Sequence, residues 1–214
     1  MSNDVLNKYY NEQLGQLQSQ HSMKCLDTKG LPIPWMTYSA IFQLQQYDLS
    51  AARIFEWGSG YSSLFWSGRS KHLDTVEHDE EWASFVRAKS RPNLNSILVT
   101  LDSYADAIVE TGSTYDLIVI DGYIHENMRY KCAELAIDRL CESGVIVLDN
   151  SDWLNNTCKF LREQGFDQYD FSGPGPINNY PWCTSLFNKG GVKFDRLNLE
   201  SPGFVPGGIE NIRD

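Results

Sequence analysis

From Arg53 onward the chain repeats one pattern five times: a short apolar run followed by a segment long enough for a helix. The runs are RIFEW (53–57), HLDTVE (72–77), SILVTL (96–101), DLIVID (116–121) and GVIVLD (144–149). Parallel strands cannot be joined by tight turns, so this alternation predicts a parallel sheet covered by helices on both faces. After the fifth run the character changes. FDQYDFSGPGPINNYPWCTSLFNKG places a Gly- and Pro-rich turn between two aromatic, β-prone runs with no room for a crossover helix, which predicts two further strands with antiparallel pairing. The expectation is an α/β fold with a seven-stranded sheet, mostly parallel, with an antiparallel C-terminal strand.

Residues 51–190 are expected to form this domain. Ahead of them, 1–50 reads as a helical extension: two prolines in LPIPWMTYSAIFQLQQYDL precede Met36, Ile41, Phe42 and Leu44 at helix-like spacing. The Gly- and Pro-rich tail 191–214 is expected to be irregular. A net charge of -10 argues against nucleic acid as a partner, since binding a phosphate backbone needs a basic face. The first twenty residues lack the apolar core of a signal peptide, and no run approaches the roughly 20 apolar residues of a membrane span. A soluble, cytoplasmic protein is expected, without a membrane partner. The five cysteines are never in a CxxC pair and read as small core residues.

The first run ends in an acid and a glycine turn, Glu56-Trp57-Gly58-Ser59-Gly60. Such a turn lets a ligand approach the backbone at the carboxyl edge of the sheet, where open α/β folds bind. A dinucleotide fingerprint would carry a third glycine where Ser63 stands, and a pyrophosphate beside Glu56 would be repelled. S-adenosylmethionine has no phosphate and carries an ammonium group that a carboxylate attracts. Glu77 ends the second run, where it can accept from both ribose hydroxyls, and Asp102 with Ser103 follows the third, within expected reach of the adenine amine. Ser59, Ser62 and His78 flank these positions and join the expected cofactor contacts. Asp121 ends the fourth run and Asp149-Asn150 the fifth, so two carboxylates and an amide oxygen should meet at neighbouring strand ends. Two readings stand for these three residues. They are hard oxygen ligands suited to Mg²⁺ or Ca²⁺, or Asp121 lines the substrate pocket while Asp149-Asn150 caps the next helix.

Taken in order, FEWGSG, VEHD, VIDG and VLDN resemble the motifs of class I S-adenosylmethionine-dependent methyltransferases over roughly Arg53 to Asn188. The resemblance implies a Rossmann-like, doubly wound sheet, with Glu56, Gly58 and Gly60 at the methionine end of the cofactor, Glu77 at the ribose, Asp102 near the adenine and Asp121 beside both cofactor and acceptor. The acid after the fourth strand and the Asp-Asn pair after the fifth are similar to those of metal-dependent catechol and caffeoyl-CoA type O-methyltransferases, which implies Asp121, Asp149 and Asn150 as metal ligands. Those enzymes usually carry a lysine soon after the first acid. DGYIHENMRY supplies His125 instead, a candidate general base beside Asp121. Trp35, Tyr38 and Tyr123 are candidates to wall an acceptor pocket, and SGPGPINNYPWCTS is expected to shape that pocket or a homodimer contact. The expected activity is O-methylation of a small-molecule hydroxyl. The alternatives are a metal-free N- or C-methyltransferase and a non-catalytic cofactor-binding member of the fold.

Overall fold

The computed structural model describes residues 7–89 and 91–197. Seven strands form one sheet: β1 (Arg53–Trp57), β2 (His72–Glu77), β3 (Leu94–Leu98), β4 (Tyr115–Ile120), β5 (Leu140–Asp149), β6 (Asp167–Gly173) and β7 (Trp182–Asn188). Their order is β3-β2-β1-β4-β5-β7-β6. Pairings from β3 through to β5 are parallel, and β7 runs antiparallel to both β5 and β6. The Rossmann-like sheet is the one expected.

The central strands carry apolar residues at successive positions because both their faces are covered. Along β4, Leu117 and Val119 belong to one apolar cluster and Ile118 and Ile120 to the other; in β5, Val145 and Val147 alternate with Ile146 and Leu148 in the same way. Helices Met128–Ala136 and Asn155–Glu163 bury Ala133 and Leu161 on one face. Helices Tyr38–Gln45 and Tyr61–Ser67 bury Ile41 and Trp66 on the other. The N-terminal segment is helical at Gln16–Ser22 and Tyr38–Gln45 and packs Leu14, Cys25 and Ile33 into the second cluster. From residue 198 the expected irregular tail lies outside the described residues; before that, Tyr47 and Arg196 form an isolated antiparallel bridge.

The third strand departs from its expected bounds. It starts at Leu94 and ends at Leu98, and Leu101–Ser103 forms a short 3-10 turn. That turn delivers Tyr104 to the interior, fully buried, where its carbonyl accepts from Trp57 Nε1 at 2.9 Å.

Where β1 and β4 end, two glycines meet. Gly58 has φ +98°, and a Cβ there would lie 2.7 Å from the Cα of Gly122. A Cβ on Gly122 would in turn lie 1.8 Å from Tyr104 Oη and 3.0 Å from Gly58 N. Tyr104 Oη has no aligned hydrogen-bond partner among the described residues; the Tyr123 backbone N–H is near it. Gly122→Ala should therefore cost about 1 to 3 kcal/mol by overpacking. In that background Tyr104→Phe should recover part of the loss, although it changes little in the wild type. Urea unfolding of the four proteins measures this, and full additivity of the two substitutions would contradict the contact.

Candidate active site

The carboxyl ends of β2, β1, β4 and β5 open on a cleft of about 540 Å³. The Gly58–Gly60 turn, Ser62, Glu77 and His78 line one half. Asp121, His125, Asp149 and Asn150 line the other, so most of the residues singled out in the sequence are brought together.

Glu77 is nearly buried and tightly held. Its Oε2 accepts from Ser59 N at 2.8 Å, and its Oε1 from His78 N at 2.8 Å and Asp79 N at 3.0 Å. His78 Nδ1 is also 2.8 Å from Oε1 but is not aligned for a hydrogen bond. Oε2 thus keeps acceptor capacity toward the cleft. Asp79 accepts from the N–H groups of Glu81 and Trp82 and caps helix Glu80–Arg87.

Glu56 sits elsewhere than a contact to a ligand ammonium would require. It is wholly buried behind the turn, on the face of β1 that meets helix Tyr61–Ser67, and it does not line the cleft. Its carboxylate accepts from Ser63 Oγ, from Thr75 Oγ1 at 2.9 Å and from Trp66 Nε1 at 3.1 Å. Ser63 Oγ in turn accepts from Gly60 N at 3.0 Å, so Glu56 anchors the glycine turn through a hydroxyl. Burial pushes the carboxyl up to about 7, against the opposing pull of Ser62, Ser63, Thr75 and Trp66. Asp102 is exposed in the 3-10 turn, and Ser103 borders a separate cavity with His72 and Asp74; neither lines the cleft.

The acids of β4 and β5 do not form the expected oxygen cage for Mg²⁺ or Ca²⁺. Asp149 is buried and accepts from Trp182 Nε1 at 3.0 Å and from Thr184 Oγ1. Asn150 Oδ1 accepts from Arg129 Nη1 at 3.1 Å, and Arg129 Nη2 stands 3.5 Å from Asp121 Oδ1. The positive charge among these oxygens is a guanidinium, and Asp149 and Asn150 already accept hydrogen bonds from side-chain donors. Among the described residues no three His, Cys, Asp or Glu side chains gather as metal ligands. Nor does Asn150 cap by its side chain; it starts the next 3-10 turn in the left-handed region, φ 54°.

Arg129 is the residue that the sequence reading missed. Its five N–H groups make five hydrogen bonds: Nε and Nη2 to Gly122 O, Nη2 to Asp121 O, and Nη1 to Asp149 O and Asn150 Oδ1. Three and two residues before it, Glu126 and Asn127 adopt left-handed backbones, φ 57° and 56°, immediately ahead of helix Met128–Ala136. The absence of a lysine after Asp121 drew the reading to His125, yet the cation is an arginine four residues later. His125 itself is exposed at the cleft, its ring 5.3 Å from that of Tyr123.

Asp121 and Asp149 face one another at adjacent strand ends. Burial raises both, and the charge of Asp149 raises Asp121 further, well above the usual carboxylate range, while Arg129 pulls the other way. Two like charges at adjacent strand ends disfavour joint ionisation. Asp121 is the outer member, its side chain 16% exposed.

The far wall of the cleft is aromatic. Trp35, Trp153, Tyr180 and Trp182 line it, together with Asn178. Trp35 Nε1 donates to Asn178 Oδ1 at 2.9 Å, and Gln16 Nε2 to Gly175 O at 2.8 Å, so the N-terminal segment and the β6–β7 loop hold one another. Tyr123 also lines the cleft, whereas Tyr38 is buried in the core.

The family model described as a methyltransferase domain matches residues 55–151. No curated protein matches the sequence. Among solved structures, a precorrin-6y C5,15-methyltransferase from Geobacter metallireducens is 15% identical with a TM-score of 0.58, over 79% of this chain and 96% of that one. A methyltransferase from Pyrococcus furiosus is 20% identical with a TM-score of 0.55, over 85% and 100%. A Streptococcus mutans protein assigned to the methyltransferases, solved in complex with SAH, is 16% identical with a TM-score of 0.54, over 68% and 93%. The chain has the Rossmann-like methyltransferase fold. No helix among the described residues is long and apolar enough to cross a membrane.

Two outcomes follow from the buried charges. Arg129→Met should destabilise the protein by about 3 to 5 kcal/mol in urea unfolding, because it strands buried carboxylates and carbonyls. Arg129→Lys should recover little, since an ammonium cannot reproduce the five-donor fork. Glu56 has its folded pKa raised from 4.5 to about 7, so the native state holds the extra proton between those values. Its contribution to stability is then full below pH 4.5 and declines as the pH rises to about 7, by roughly 3 kcal/mol in all. The stability of the wild type minus that of Glu56→Gln, followed by thermal unfolding from pH 4.5 to 8, should fall across that window and level off above it. A flat difference would show Glu56 ionised throughout.

Proposed function

We propose that the protein is an S-adenosylmethionine-dependent methyltransferase that methylates a hydroxyl of a small molecule. The observation that carries this reading is one cleft holding the Glu77 carboxylate, fixed by three backbone N–H groups beside the Gly58–Gly60 turn, next to the Asp121–Asp149 pair. The matched methyltransferase-domain model and the SAH complex of the Streptococcus mutans protein support the choice of cofactor.

The residues present fit that group. Glu77 Oε2 can take a ribose hydroxyl, the turn at Gly58 and Gly60 exposes backbone without side chains, and Trp82 beside Gly60 offers an aromatic face. When bound, S-adenosylmethionine supplies an activated methyl group that passes to the acceptor oxygen as its carbon–sulfur bond breaks, leaving S-adenosylhomocysteine. The chain orients the acceptor and takes its proton. The Asp121–Asp149 pair is suited to the second task, because a carboxylate with a raised pKa is a stronger base and the pair has room for one more proton. Arg129 holds the pair in place through the strand-end carbonyls. His125, exposed at the rim, can pass the proton to solvent. A chain of net charge -10 favours a small acceptor over a nucleic acid.

Calorimetry with S-adenosylhomocysteine tests the reading. The ligand should bind, and Glu77→Ala should weaken it by about 1 to 3 kcal/mol, roughly 5- to 150-fold, through loss of a charged acceptor. No binding at millimolar ligand would remove the cofactor assignment, and unchanged affinity in Glu77→Ala would move the ribose elsewhere.

A further inference from the structure

The described residues include nine exposed large hydrophobic side chains, and five of them line the one cleft: Met23, Trp35, Trp82, Trp153 and Tyr180. Three of these stand on the side away from Glu77. Trp35 is 39%, Trp153 54% and Tyr180 45% exposed, so each leaves apolar ring surface open to the cleft. They connect to the acid pair through a file of rings: Trp153 to Tyr180 at 6.4 Å, Tyr180 to Trp182 at 6.1 Å, and Trp182 Nε1 to Asp149.

The fixed charges lining the cleft are mostly of one sign. Glu77, Asp79, Asp121 and Asp149 line the cleft, against a single guanidinium, Arg129. Arg129 is 5% exposed and all its N–H groups are engaged, so it offers nothing to an incoming anion. A carboxylate or phosphate on the acceptor would find no free arginine or lysine in the cleft lining, only His78 and His125. The negative faces of indole and phenol rings attract cations, most strongly where carboxylates lie behind them.

We propose that the acceptor is a cation, a small molecule whose quaternary or protonated amine rests on Trp35, Trp153 and Tyr180 while its hydroxyl reaches the Asp121–Asp149 pair. This rests on the methyltransferase reading and names the substrate class for that same cleft. A neutral flat ring would gain from the aromatic wall alone. A cation gains from the wall and from the acids.

The probe pair is choline and its uncharged isostere 3,3-dimethylbutan-1-ol, titrated by tryptophan fluorescence into the full chain with S-adenosylhomocysteine present. Choline should bind at least tenfold more tightly than the isostere, and Trp153→Leu and Tyr180→Leu should each shrink that ratio. S-adenosylhomocysteine affinity, measured separately on each variant, reports an intact fold. Equal affinities of the two probes, or binding of neither at millimolar concentration, would overturn the cation assignment. If S-adenosylhomocysteine binds while the probes are not discriminated, only the acceptor class fails. If choline is preferred and S-adenosylhomocysteine does not bind, the parent reading fails instead.

Discussion

The guanidinium of Arg129 holds together the part of the molecule in which chemistry could occur. Strands β4 and β5 end in backbone carbonyls and acids that no longer have a ladder to pair with, and unpaired buried carbonyls are costly. One side chain with five donors satisfies three such carbonyls, of Asp121, Gly122 and Asp149, together with the Asn150 amide oxygen, and stands beside the carboxylate of Asp121. The same contacts set the position of Gly122 against Gly58, and with it the floor of the cleft. Lysine could not do this, since its three donors radiate from one point. The acid pair, the glycine seam and the ends of two strands therefore depend on a residue that makes no claim on any ligand.

The sheet was legible in the sequence because its signal is local. Each buried parallel strand needs an apolar run, and β1 and β2 fall on the expected residues to the ends. β3 was the exception, since SILVTL contains enough β-prone residues to extend the reading to Leu101 while the chain turns early to bury Tyr104. Asp102 falls in the 3-10 turn that follows and does not line the cleft. The position of an acid counted from a strand end is only as good as the strand end.

At the site, contiguous features were readable and assembled ones were not. Glu77 and the glycine turn lie within a few residues of a strand terminus, so their place follows from topology. Glu56 was rightly marked as unusual, but strand alternation alone could not reveal that Ser63, Trp66 and Thr75, drawn from a helix and another strand, would enclose it. The acids of β4 and β5 were correctly brought together, yet their chemistry changed once Arg129, Trp182 and Thr184 were present. Oxygen atoms that read as metal ligands in a sequence become hydrogen-bond acceptors when the fold supplies donors first.

Glu56, Asp121 and Asp149 end three strands that are neighbours in the sheet, and all three carboxyls are pushed upward by burial. Glu56 also raises Asp121 by its charge, so the three do not titrate independently. One guanidinium offsets part of this charge. The raised proton affinity on which the proposed base role of Asp121 and Asp149 rests is thus tied to the burial of their charges, and it cannot be tuned for one purpose alone. Adding a second cation at the strand ends would stabilise the fold, lower the pair's affinity for a proton, and repel a cationic acceptor. Four carboxylates and a single engaged arginine in one cleft lower stability while supplying the negative field on which the proposed base and the proposed cationic acceptor depend.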